Sequence, residues 1–162
     1  MNNFVFYNPT KIIFGKETIR AVGKEIPKGS KVMITFGGGS IKRNKIYDEV
    51  LAALAGFEVT EFGGIEPNPT YETLMQCVER VLRENIDYLL AVGGGSVIDG
   101  TKFIAAAALY QGEPWEIVKK YGMTVERALP FGTVLTLPAT GSEMNSGAVI
   151  THRALNAKLP FN

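Results

Sequence analysis

Apolar residues recur along this chain in two alternating rhythms. Tyr71, Leu74, Met75, Val78, Val81 and Leu82 fall at helical intervals and lay one apolar stripe along a helix. Asn68 or Thr70 stands where that helix needs a cap, and Pro69 suits its first turn. Lys31–Phe36 is rich in residues that favour a pleated strand, and Gly37-Gly38-Gly39-Ser40 stops it. Residues 57–62 read as a short alternating strand, ended by Gly63-Gly64 and a Pro67-Asn68-Pro69 turn. Tyr88–Val92 is almost wholly apolar, as expected of a central parallel strand buried on both faces, and Gly93-Gly94-Gly95-Ser96 follows it. Helices are predicted over 44–55, 97–109 and 114–119, and a further strand over 131–137. A strand over 11–14 and a weaker helix over 18–26 precede them. Beyond Thr151 the pattern fades, so residues 152–162 are expected to be poorly ordered or to pair with another chain.

Strand and helix alternate with short connections, which predicts an α/β fold: a mostly parallel sheet with helices on both faces. Such sheets bind ligands beyond the carboxyl ends of their strands, where both Gly-Gly-Gly-Ser segments fall. With 162 residues, the chain has room for one domain, or one and part of another. The net charge of +1 gives no basic stripe for a phosphate backbone, so nucleic acid is not an expected partner. The apolar run that contains Ile104–Leu109 is far shorter than a bilayer span of about 20 residues. The first residues, Met1 to Phe4, show no basic segment followed by an apolar one, so no signal peptide is expected. Cys77 is the only cysteine, which leaves no partner for an internal disulfide and makes the cytoplasm the expected compartment. As a thiol it reads as a small packing residue. Trp115 and Phe103 read as core. His152, the only histidine, reads as a surface or loop residue rather than a base. One histidine and one cysteine do not supply the usual set of imidazoles and thiolates for a catalytic metal.

Candidate chemistry centres on the turns. From Val92 through Gly94, Gly95 and Ser96 to Asp99, a buried strand runs through three glycines into a helix. Glycines let an anion approach the backbone, and the helix start offers bare amides at the positive end of its dipole. That suits a diphosphate, although a tight turn without ligand has the same pattern. Asp99, expected in the first turn, would repel a diphosphate and should face the ribose, nicotinamide or substrate side. The earlier corner, Gly38-Gly39-Ser40, has no acidic residue to grip an adenosine 2′-hydroxyl. Ser40, Lys42 and Arg43 stand there instead, which favours a 2′-phosphate; a solvated turn is the alternative. Thr136, Thr140 and Ser142 form a hydroxyl-rich strand end, with neutral donors for ribose or phosphate oxygens. Asn68 and Pro69 sit on the ligand side of the sheet.

Taken together, residues 9–16, 36–42, 62–69, 91–102 and 137–143 make the chain resemble the iron-containing (group III) alcohol dehydrogenase family. The likeness is greatest to its NADPH-dependent aldehyde reductase and butanol dehydrogenase branch. The resemblance implies a three-layer Rossmann-like coenzyme domain of the dehydroquinate synthase-like type over residues 1–162, ending near its carboxyl-terminal boundary. It implies that Gly38, Gly39 and Ser40 receive the adenosine 2′-phosphate. It further implies a diphosphate loop at Gly94, Gly95 and Ser96, and Asp99 near the nicotinamide. Asn68 and Pro69 would border the groove, Thr136, Leu137 and Thr140 would contact adenosine and diphosphate, and Lys158 would meet the nicotinamide ribose. NADP(H) is then expected over NAD(H), with a small aldehyde or alcohol as substrate of the full-length enzyme. A homodimer through the amino-terminal strands is also implied.

The resemblance further implies a divalent metal, iron or zinc, bound through one aspartate and three histidines in a helical second domain that is expected to be missing from these 162 residues. The expectation is therefore a coenzyme-binding half that lacks catalytic competence alone. Two alternatives stand beside it: a non-catalytic nucleotide-binding or dimerisation module, and a fragment of an NAD-dependent glycerol dehydrogenase-type enzyme.

Overall fold

The computed structural model describes Phe4, Val5 and residues 7–162; the amino-terminal reading made on Met1 to Asn3 lies outside the described residues. Among the described residues, six helices and six strands follow a 3₁₀ turn at Thr18–Ala21, with another 3₁₀ turn at Ser142–Met144 between the fourth and fifth strands. In chain order they are α1 (Val22–Glu25), β1 (Lys31–Phe36), α2 (Ser40–Arg43), α3 (Ile46–Ala53), β2 (Glu58–Phe62) and α4 (Tyr71–Glu84). Then come β3 (Tyr88–Gly94), α5 (Gly95–Ala107), α6 (Trp115–Lys119), β4 (Phe131–Leu137), β5 (Ala148–His152) and β6 (Ala157–Phe161).

The first four strands form one parallel sheet in the order β2-β1-β3-β4. β1 and β3 are its centre and are buried along nearly their whole length. Their side chains alternate between two apolar clusters. Met33, Leu89 and Ala91 face α4, α5 and α6, whereas Val32, Ile34, Leu90 and Val92 face the layer that holds Ile26, Ile41, Val50 and Leu54. Two-sided burial explains why the sequence of β3 shows no polar alternation.

The chain leaves β1 toward one edge and β3 toward the other. Their carboxyl ends therefore flank the point where strand order reverses, the usual crevice for a ligand in such sheets. A buried hydroxyl pair fastens this point. Thr101 donates to the Val97 carbonyl at 2.7 Å, so its single proton is committed, and Thr35 at the end of β1 donates to Thr101 at 2.7 Å.

The carboxyl-terminal expectation is corrected. Residues 148–161 form an antiparallel hairpin, β5 with β6, pinned to the start of α4 by a Thr151 amide bond to the Pro69 carbonyl at 2.9 Å. Ala157, Leu159 and Phe161 alternate inward; Phe161 is buried and meets the Phe103 ring edge-on at 6.2 Å. The strand expected at 11–14 is also corrected: that segment has no sheet partner among the described residues, and Phe14 is 96% exposed. Thr70, not Asn68, caps α4 by accepting from the Thr73 amide. Among the described residues, no helix is long and apolar enough to cross a membrane.

Candidate functional site

Two clefts meet at the tips of β1 and β3. The smaller, about 320 Å³, is lined by Gly39, Ser40, Asn44, Gly94, Thr136 and Leu137 among others. The larger, about 550 Å³, is lined by Asn68, Pro69, Gly95, Ser96, Asp99, Thr140 and Lys158, together with the 141–149 segment and the end of β6. Consecutive residues Gly94 and Gly95 line one cleft each, so the β3 corner is the shared wall. Of the predicted site residues only Gly38 lines neither; it stands between Gly37 and Gly39 on the rim, with open space above it.

At the β3 corner, Gly94 caps α5 with an extended backbone, and no glycine of the run has a positive φ. Freedom of φ is therefore not what this corner requires. A Cβ on Gly93 would lie 2.6 Å from the Val97 side chain, and one on Gly95 would lie 2.7 Å from the Thr140 hydroxyl. Strand, helix and the 140s segment approach too closely for any side chain. The first amides of α5, a thirteen-residue helix, have no partner within the helix and border the clefts.

Asp99 is the fifth residue of α5, beyond its first turn, which corrects its expected position. Its two carboxylate oxygens accept from the Ser142 hydroxyl at 2.6 Å and the Val149 amide at 3.1 Å. Ser142 is thereby corrected as well: its proton goes to Asp99 and is not available as a free donor. Lys158 donates to Asn68 Oδ1 at 2.7 Å, and both it and Ser96 line the larger cleft. Asn68 holds a left-handed conformation, φ 57°, and its amide leans on the Ser96 hydroxyl at 3.4 Å.

Lys102 had no place in the sequence reading. Its ammonium is buried below the larger cleft and donates to Ser142 Oγ at 2.9 Å, Asn145 Oδ1 at 3.2 Å and the Gly147 carbonyl at 2.7 Å. Burial pulls it below the ordinary lysine range, opposed by the charges of Asp99 and Glu143. Helical spacing would have flagged it: Lys102 lies three residues after Asp99, on the same face of α5.

The cations at the β1 corner are not where the sequence suggested. Lys42 is paired with Glu61 at 2.8 Å and lies over the Phe36 and Tyr47 rings; neither it nor Arg43 lines a cleft. His152 is not a surface residue. It stacks on Tyr71 at 4.6 Å, meets Trp115 edge-on and has Nδ1 3.0 Å from Glu72, away from both clefts. Cys77 is buried beside Met33, and burial pushes its thiol up to about 12. Among the described residues, no three His, Cys, Asp or Glu side chains gather as a metal site.

The sequence model described as iron-containing alcohol dehydrogenase matches residues 9–162. The NADPH-dependent aldehyde reductase YqhD of Escherichia coli is 54% identical over all of this chain and 42% of its own length. A probable NADH-dependent butanol dehydrogenase of Bacillus subtilis is also 54% identical, over 94% of this chain and 40% of its own. The crystal structure of E. coli YqhD superposes with a TM-score of 0.97 over 99% of this chain and 42% of that one, at 53% identity. That of an NADH-dependent butanol dehydrogenase from Thermotoga maritima gives 0.93 over 100% and 42%, at 43% identity. The chain thus spans about 40% of the length of these relatives.

Proposed function

The chain belongs to the iron-containing alcohol dehydrogenase family, and on that premise we propose that it is the coenzyme-binding part of an oxidoreductase that passes hydride between NADP(H) and a small aldehyde or primary alcohol. The observation that carries this reading is the pair of clefts joined at Gly94-Gly95, each walled by a glycine corner at the strand-order reversal.

The residues fit a dinucleotide. Gly38, Gly39 and Ser40 leave the smaller cleft open for the adenosine 2′-phosphate, with Thr136 and Leu137 on the facing wall. Gly94, Gly95 and Ser96 turn bare amides to the diphosphate, beside Thr140. Asp99 and Lys158 then border the nicotinamide ribose, with Asn68 and Pro69 closing the groove. When bound, the coenzyme supplies the hydride. The chain's own work is to orient it: Asp99 keeps lone pairs for ribose hydroxyls after its two internal bonds, and the Lys158 ammonium offsets diphosphate charge.

The described residues hold no cluster of three His, Cys, Asp or Glu side chains and do not fit a divalent iron or zinc ion. Its ligands are proposed to lie outside this chain, which alone binds coenzyme without turning over substrate. Homodimerisation through the amino-terminal segment belongs to the same proposal; the exposed side chains of Val5, Ile12 and Phe14 support it. A cytoplasmic location is supported by the single cysteine.

Two observations favour NAD(H) instead: Glu61 already holds Lys42, and a relative as similar as YqhD carries the name of a probable NADH-dependent butanol dehydrogenase. Titration of the chain with NADPH and with NADH, read by nicotinamide fluorescence, decides between them. Tighter NADPH binding is expected. Tighter NADH binding reverses the selectivity, no binding of either overturns the coenzyme reading, and metal-dependent aldehyde reduction by the 162-residue chain overturns its incompetence.

A further inference from the structure

We propose that Lys102 is a positioning residue: through Ser142 it aims the Asp99 carboxylate and holds residues 141–149 as the wall of the larger cleft. The inference rests on the coenzyme reading above and extends it to a residue that itself touches neither cleft.

The direction of each hydrogen bond is forced by chemistry. An ammonium only donates and a carboxylate only accepts. Ser142 Oγ accepts from Lys102, so its one proton is left for Asp99 Oδ1. The chain of donation therefore runs from Lys102 to Ser142 to Asp99 without an alternative orientation. Asp99 Oδ2 is held by the Val149 amide, so both oxygens are fixed, one from each end of the 141–149 segment.

The other two acceptors of Lys102, Asn145 Oδ1 and the Gly147 carbonyl, lie within that same segment. One buried cation thus gathers three oxygens of residues 141–147, which before β5 begins have only a single 3₁₀ turn, Ser142–Met144. Ser142, Asn145, Gly147, Ala148 and Val149 all line the larger cleft. Lys102 is only 7% exposed and sits on α5, the element that also presents the diphosphate amides. A charge is stable there only because three oxygens replace its water. The arrangement fixes the carboxylate relative to the amides, which is the geometric relation that a coenzyme spanning both must meet.

The test separates positioning from bulk stability with two variants. Lys102→Met removes the cation at similar volume. Ser142→Ala removes only the bridge and leaves Lys102 two of its acceptors. In the free chain, hydrogen exchange of the Val149 amide should quicken about tenfold in both variants, because its acceptor is no longer held. The NADPH dissociation constant should rise about tenfold in each, and the double variant should be no worse than the weaker single one. Unchanged Val149 exchange, or an unchanged dissociation constant in Ser142→Ala, overturns the inference. So does a Lys102→Met variant that loses thermal stability while Ser142→Ala binds NADPH as the wild type does. Failure of the wild-type chain to bind NADPH defeats the underlying coenzyme reading, and the exchange measurement still shows whether Lys102 aims Asp99.

Discussion

The two Gly-Gly-Gly-Ser corners share a sequence and a place at neighbouring strand ends, yet glycine is needed in them for different reasons. At the β3 corner, residues 93–95, the backbone adopts conformations open to any residue, and the constraint is space: Val97 crowds Gly93 and Thr140 crowds Gly95. At the β1 corner, Gly38 and Gly39 face open space, and the constraint at Gly39 is its φ of +84°. One corner is packed and continues into a thirteen-residue helix; the other is open and continues into four residues of α2. A glycine run therefore says where a ligand has room, but not which glycine makes that room and which only lets the protein close on itself.

The largest expected effect tests this division. In Gly93→Ala the new methyl meets Val97 Cβ at 2.8 Å, an atom that moves only with α5. The urea midpoint should fall by the equivalent of about 1–3 kcal/mol. Gly38→Ala meets nothing within 4 Å, and its stability should stay within about 0.5 kcal/mol of wild type. On the coenzyme reading it should weaken NADPH binding all the same, because its methyl takes room on the rim. Equal destabilisation by the two changes would erase the distinction between the corners.

A smaller effect is expected at Gly39. Alanine there finds open space, but must hold a left-handed backbone. The cost should be about 1 kcal/mol, read as a lower denaturation midpoint with an unchanged slope. Asparagine, which tolerates that conformation better, should recover part of the loss. An alanine variant as stable as wild type would show that α2 re-forms around a different corner.

Much of this was legible in the sequence. The period-3.6 stripe of α4 and the unbroken apolar run of β3 marked their elements because burial alone set those patterns. The glycine corners were legible because turn chemistry is local, whereas Asn68 gave up the cap of α4 to Thr70 and Asp99 fell beyond the first turn of α5. What escaped notice depended on distant pairing. Lys158 and Phe161 belong to a strand only because Ile150 and its neighbours lie opposite, and the alternation of Ala157, Leu159 and Phe161 was its one local trace. Lys102 carried no sequence signal of its own, because the three oxygens that close around it come from 40 or more residues away. Lys42 looked like a phosphate ligand until Glu61, on a strand brought alongside, claimed it.

That last pair gives the smallest effect, and it bears on how each corner handles its cation. The β3 corner buries Lys102 among neutral oxygens and one hydroxyl that leads to Asp99; the β1 corner ties Lys42 to Glu61 at the surface. The hydrogen bond from Lys42, and after it the Tyr47 hydroxyl, holds the Glu61 carboxyl below its ordinary range. A carboxyl lowered on folding adds stability above its unfolded value and loses it as pH falls through the folded one. Wild type should therefore lose a little stability below about pH 4.5 that Glu61→Gln does not lose. Both side chains are 42% exposed, so solvent screening limits the difference to under about 0.5 kcal/mol. Half-molar salt should shrink it further, since the Debye length is then only about 4 Å. Paired urea titrations of the two chains at pH 7 and pH 4, in low and high salt, measure it. A difference above 1 kcal/mol that survives salt would mean that Lys42 and Glu61 are held as firmly as Lys102, and that the β1 corner is a built charge site rather than an open rim beside a surface pair.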